Sequence, residues 1–199
     1  MAVSAPVRAY YTQHIVAQSG RGRVPSNFRP LETPATGKSS VEGCAGGGKN
    51  ILEVFLVGQD ERIVDLRASC GLCNPAMYAA ADIVCEWGRG RGFSETLALD
   101  PLDPRSLDPL FARLLAAAPR AAGGAAGTSS PNERHDEMPA DRPDVRPDVR
   151  PDVRPDDARE KFQYCLVALQ NAIHVHRGEP IPALPTIAPQ ADAEPPLAE

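Results

Sequence analysis

Hydrophobic positions cluster in a few short blocks, separated by stretches rich in Gly, Pro and Ser. Asn50 to Val57 (NILEVFLV) is dense in Val, Ile, Leu and Phe, with Glu53 its only charge. That pattern predicts a strand buried on at least one face. Gly58-Gln59-Asp60-Glu61 reads as a turn, and Arg62 to Ala68 (RIVDLRA) as a second strand. Val64 and Leu66 are expected on its core face, with Asp65 and Arg67 opposite. The two make a β-hairpin, and the segment before Cys44 is expected to add a third strand.

The remaining blocks have helical spacing. Tyr10 to Gln18 (YYTQHIVAQ) predicts a short helix with Tyr11, Ile15 and Gln18 on one face. The stretch that follows, through Ser40, is rich in Gly, Pro and Ser and reads as irregular. Asn74-Pro75 is a helix start, Asn as cap and Pro at the first helical position. Ala76 to Trp87 (AMYAAADIVCEW) is then a strong helix, ended by Gly88, Gly90 and Gly92. Ser94 is expected to cap a short helix reaching Leu97. A further helix runs from about Pro109 to Ala118, with Leu110, Leu114 and Leu115 on one side. Ala158 to Val175 is helical, because Phe162, Leu166, Leu169 and Ile173 recur at three- and four-residue steps. The fold class is α+β: a small antiparallel sheet of about three strands packed against helices.

Between Pro119 and Asp157 the pattern vanishes. An Ala/Gly/Ser-rich stretch leads into a tandem Arg-Pro-Asp-Val repeat from Arg142 to Asp156. Pro at every fourth position removes amide donors and forbids a regular helix, so an extended, polyproline-like linker is expected. After Gly178 the chain is Pro- and Ala-rich and reads as a disordered tail.

Composition narrows the functional classes. The 199 residues carry a net charge of −5, without a long basic run, which argues against a nucleic-acid partner. Arg89 and Arg91, like Arg21, Arg23 and Arg29, read as solvated positions rather than binding patches. No apolar run approaches the roughly 20 residues needed to span a bilayer, and no apolar signal core opens the chain. The expectation is a soluble cytoplasmic protein with no membrane partner. In that compartment clustered cysteines more often mean metal or thiol chemistry than structural disulfides.

Four of the five cysteines suit such chemistry. Cys44 lies in a glycine loop (VEGCAGGG), and Cys70 and Cys73 form a Cys-x-x-Cys between the second strand and the following helix. Cys165 is in the last apolar helix. Cys85, in mid-helix beside Glu86-Trp87, reads as a small buried hydrophobe. Thiolates are soft ligands favouring zinc, copper(I) and iron–sulfur units. A helix N-terminus lowers a thiol pKa, and Cys73 and Cys165 are both expected near one. His174 and His176, two residues apart at a helix end, read as dipole partners rather than ligands.

Taken in order, these motifs resemble the IscU/NifU N-terminal family of iron–sulfur cluster scaffolds. YTQHIVAQ is similar to that family's first helix, Cys44 to its first cysteine, and the hairpin ending at Cys70-Gly71 to the strand that delivers its second. Cys73 matches that second cysteine by its distance to Glu86-Trp87. Glu86-Trp87-Gly88-Arg89-Gly90-Arg91 resembles the family's Glu-Trp-x-Lys-Gly-Lys, and Cys165-Leu-Val-Ala-Leu-Gln-Asn-Ala-Ile its third-cysteine helix. Gly46 stands where the family has Asp after its first cysteine, and Tyr164 where a His often precedes the last.

The resemblance implies a scaffold domain with its main part over residues 1–118. A 119–157 linker, a completing helix over 158–178 and a 179–199 tail follow. It implies a non-enzymatic scaffold or carrier, monomeric or weakly dimeric. Cys44, Cys70, Cys73 and Cys165 would hold iron and sulfide as a cluster, expected to be 2Fe–2S, or zinc. A cysteine desulfurase would supply sulfur, and apo-protein acceptors would take the cluster. Three alternatives stay open: a zinc-binding sulfur acceptor for a desulfurase, a dithiol redox protein using Cys70 and Cys73, and a degenerate member that binds partners without metal.

Overall fold

A computed structural model of the chain describes residues 3–19, 24–41, 50–71, 73–116 and 156–182. The architecture is α+β. Strands β1 (Ala35–Val41), β2 (Asn50–Gln59) and β3 (Arg62–Cys70) form an antiparallel sheet in the order β1-β2-β3. Helices α3 (Pro75–Gly88) and α6 (Asp156–Arg177) pack on it and on each other, α6 lying across β1 and β2 and α3 beside β3. Leu52, Val54 and Leu56 of β2 and Ile63, Leu66 and Ala68 of β3 point into the core these helices close. Phe162, Leu166, Leu169 and Ile173 of α6 meet them there, as their spacing predicts.

The hairpin turns on two residues, Asp60 and Glu61, both with positive φ (51° and 57°). That left-handed pair matches the twist of the flanking strands. Past the turn the ladder slips: Gly58 pairs with Ile63 but Val57 pairs with Asp65, leaving Val64 as the extra residue of a bulge. Val64 is therefore 53% exposed, and Ile63 takes the core position expected of it. Simple alternation fails there because one residue is inserted into the strand.

β1 lies under α6 at Gly37. A Cβ at that position would run into the Ala168 carbonyl and the Ala172 amide, so only glycine admits this approach of helix to strand. Asn171 of α6 donates to the Lys38 carbonyl (2.8 Å), and the Ser39 hydroxyl donates to the Tyr164 carbonyl (3.0 Å). These bonds seat the C-terminal helix on the sheet of its own chain.

The N-terminal helix begins earlier than its pattern suggests. α1 (Ala5–Tyr10) continues through a π-helical stretch, Tyr11–Val16, into α2 (Ala17–Ser19). The wider π turn brings Tyr10 and Ile15, five residues apart, onto the buried face, and Tyr11 lies only half-buried. Tyr10 donates to Asp82 of α3 (2.8 Å), as does the Asn27 amide (2.7 Å), so a buried carboxylate ties two N-terminal segments to the main body. Burial, with Asp82 alongside, pushes the Tyr10 phenol far above its ordinary range.

Arg89 is not a free solvated position. It donates to Asp65 (2.9 Å), to the Leu66 carbonyl (2.8 Å) and to Asn27. Burial alone would raise the Asp65 pKa, but hydrogen bonds from Arg67 and Arg89 outweigh it and hold that carboxyl below its usual value. Arg91 covers the Trp87 ring at 4.2 Å and pairs with Glu95.

Smaller corrections concern helix ends. Gly92, not Ser94, occupies the cap of α4 (Phe93–Leu97). A 3-10 turn, Pro104–Leu107, leads into α5 (Asp108–Ala116), whose Leu110 and Leu114 are buried but whose Leu115 is 58% exposed. α6 starts two residues before the expected boundary. The Arg-Pro-Asp-Val repeat up to residue 155 and the tail from residue 183 lie outside the described residues. Among the described residues no helix is long and apolar enough to cross a membrane.

Candidate functional site

One end of the sheet gathers the chemistry. β3 ends at Cys70, paired across the ladder with buried Leu52 of β2, so Cys70 leans toward the core side. Gly71 follows, and Cys73 stands just before the start of α3. That start is built as its sequence requires. The Asn74 side chain accepts from the Met77 amide (2.9 Å), and Pro75 takes the first helical position, where no amide donor is needed. The Cys70 and Cys73 sulfurs are joined as a disulfide, with Cα atoms 5.9 Å apart. Both residues are half-buried against the core.

Asn50, the first residue of β2, completes this end. Its Nδ2 reaches Cys70 Sγ at 3.6 Å and Cys73 Sγ at 3.9 Å. Its Oδ1 accepts from the Ile51 amide (2.9 Å), which fixes the amide so that its NH2 group faces the sulfurs. Nothing in the sequence reading singled out Asn50. Its signal is position: a polar residue opening an apolar strand, opposite the end of a hairpin that terminates in cysteine.

Cys44 lies outside the described residues, but the ends of its segment do not. Val41 and Asn50, which flank it in the sequence, are ladder partners. Cys44 is three residues from Val41, and covalent geometry keeps the two Cα atoms within about 11 Å.

The other two cysteines are core residues. Cys85 is 1% exposed, as its mid-helix setting predicts, and burial pushes its thiol pKa strongly up. Cys165 departs from expectation. It is the tenth residue of α6, not near its beginning, and it is fully buried. Desolvation drives its pKa well above the ordinary thiol value, with the neighbouring Cys85 adding to the rise and Lys161 opposing it. A lowered helix-start pKa is therefore excluded for Cys165, because the helix extends nine residues upstream. Its thiol points at Met77 Sδ, 3.8 Å away, on the first turn of α3. Cys165 thus packs against the first turn of α3.

Neither histidine of the last turn points to metal. His174 contacts Glu179 (2.8 Å), and His176 lies edge-on to Phe93. Tyr164 is buried, with the Lys161 ammonium 5.6 Å over its ring. Among the described residues no three His, Cys, Asp or Glu side chains converge as a metal-ligand group.

The arrangement offers a half-buried disulfide pair, contacted by one amide, next to a core that keeps two further thiols protonated. No protein-family model matches the chain, and no curated protein matches it.

Proposed function

We propose that this chain is a scaffold or carrier for iron–sulfur cluster assembly. Cys44, Cys70 and Cys73 are its accessible thiolate set, and Cys165 is a thiol held in reserve beneath them. The observation that carries the reading is the convergence at Asn50: its side chain touches both sulfurs of the Cys-x-x-Cys, and its backbone closes the segment that carries Cys44. Three thiols within covalent reach of one sheet end match the soft-ligand demand of iron and sulfide. In this reading a cysteine desulfurase delivers sulfur to the exposed thiolates, iron joins it, and the cluster passes to apo-protein acceptors. Gly46, in place of the family's Asp, removes one oxygen ligand, and the second thiol of the Cys70/Cys73 pair takes its place.

The test is anaerobic reconstitution of the reduced chain with iron and sulfide, read by visible absorption and metal analysis. Single Cys→Ala variants at positions 44, 70, 73 and 165 are run alongside. A sulfur-to-iron chromophore lost in Cys44→Ala and weakened in Cys70→Ala or Cys73→Ala is the expected result. Tightly held zinc with no chromophore would instead favour the sulfur acceptor. No metal of either kind would overturn the scaffold.

The disulfide favours one second reading, a dithiol redox protein using Cys70 and Cys73. Oxidoreductase activity toward a disulfide substrate that survives Cys44→Ala and Cys165→Ala would select it.

A further inference from the structure

We propose that the Cys70–Cys73 bond is a redox latch on the thiol site. As a disulfide it withholds two ligands, and as a dithiol it releases them for metal or cluster. This inference rests on the scaffold reading and adds a regulation to it.

The surroundings of the pair fit a bond that opens and closes without disturbing the fold. Cys70 is held in register by β2, and Cys73 is followed at once by the capped start of α3. The two Cα atoms are therefore positioned by elements that do not depend on the bond. Asn50 Nδ2 faces both sulfurs, so one N–H donor remains available to a thiolate once the bond is reduced. The buried thiols of Cys85 and Cys165 are fully desolvated, and neither presents the thiolate that exchange requires. Among the described cysteines, exchange is confined to the half-exposed pair.

The chemistry balances with a dithiol reductant. A thiolate of the reductant attacks one sulfur, the Cys70–Cys73 bond breaks, and the released sulfur takes a proton. The second thiol of the reductant then displaces the mixed disulfide. Two electrons and two protons pass to the protein, and the reductant leaves as a disulfide. A sulfur bonded to sulfur carries no thiolate charge and is a poor ligand for a soft cation, so binding follows reduction.

The experiment uses the full-length chain and Co²⁺ alone as probe. One sample is oxidised and its disulfide located by peptide mapping; a second is reduced with a dithiol, which is then removed anaerobically. The expected result is a mapped Cys70–Cys73 pair in the oxidised sample. Cobalt uptake, with sulfur-to-cobalt charge-transfer absorption, should appear in the reduced sample and be weaker by at least about tenfold in the oxidised one. Far-ultraviolet dichroism should be the same in both. Equal uptake in the two states overturns the latch and leaves the scaffold standing. A mapped bond joining Cys44 to either partner overturns the latch as drawn. Absence of thiolate-bound cobalt in both states overturns latch and scaffold together.

Discussion

Cys70/Cys73 and Cys85/Cys165 are two pairs of the same side chain in one small domain, and their environments set them opposite tasks. The first pair is half-buried at the end of a sheet, faced by an amide donor and bonded sulfur to sulfur. The second lies in the core between α3 and α6, where desolvation keeps both thiols neutral. Met77 lies on the boundary, its sulfur 3.8 Å from Cys165 and its amide bound to the cap that follows Cys73. Burial, not residue type, separates the two pairs.

The contrast breaks most completely if the core is opened. Phe162 is fully buried, with its ring edge-on to Phe111. Phe162→Ala should cost about 3–5 kcal/mol in urea unfolding. In the reduced protein at intermediate urea, Cys85 and Cys165 should then alkylate together with Cys70 and Cys73, whereas in the wild type they stay protected until global unfolding.

Alkaline pH sharpens the contrast without mutation. Both buried thiols have folded pKa values raised above the unfolded value. The stability tied to their burial is therefore complete below the ordinary thiol pKa. It is lost as pH rises toward the folded values, because the unfolded chain ionises first. Each should remove about 1.4 kcal/mol per pH unit above pH ~9. Denaturant midpoints should be flat on this account below that pH and fall above it, with a shallower fall in Cys85→Ala or Cys165→Ala. The buried Tyr10 phenol adds a term of the same sign above pH ~10.

A smaller effect separates the scaffold of the exposed pair from its chemistry. Asn74→Ala removes the cap of α3 and should cost about 1 kcal/mol, read as a lower thermal midpoint with faster amide exchange in the first turn of α3. Asn50→Ala should have the smallest effect. Loss of one weak N–H donor should slow alkylation of the reduced Cys70 and Cys73 by about two- to fivefold at neutral pH. Labelling of Cys85 and Cys165 should not change.

Much of this was legible in the sequence where local chemistry decides the outcome. Asn74-Pro75 announces a helix start because cap and first-turn requirements are local, and the period of Phe162, Leu166, Leu169 and Ile173 reports a buried face directly. The hairpin could be placed from its apolar runs, although Asp60-Glu61 adopts left-handed geometry without the usual glycine. The burial of Cys165 follows from its place three residues after Phe162 and four before Leu169 on the apolar face; what was not legible is the start of α6 at Asp156, inside the last unit of a repeat whose prolines suggest no helix. The π-helical stretch at Tyr11–Val16 was hidden for a different reason. It is selected by the fit of Tyr10 to Asp82 and of Ile15 to the core, which are long-range contacts. Asn50 was overlooked because its partners are 20 and 23 residues away.

The bulge at Val64 has a consequence for the thiol end. Positions 63 and 70 have opposite parity, and an uninterrupted strand would point them to opposite faces of the sheet. One unpaired residue between them cancels that difference, so Ile63 and Cys70 look the same way. The bulge acts as a phase shifter: it lets the turn end of β3 seal the core while the far end presents sulfur to the same side, where α3 begins. Deleting Val64 would straighten the ladder and leave Ile63 and Cys70 on one face, whereas deleting a paired residue of β3 such as Arg67 would turn Cys70 to the wrong side of the sheet.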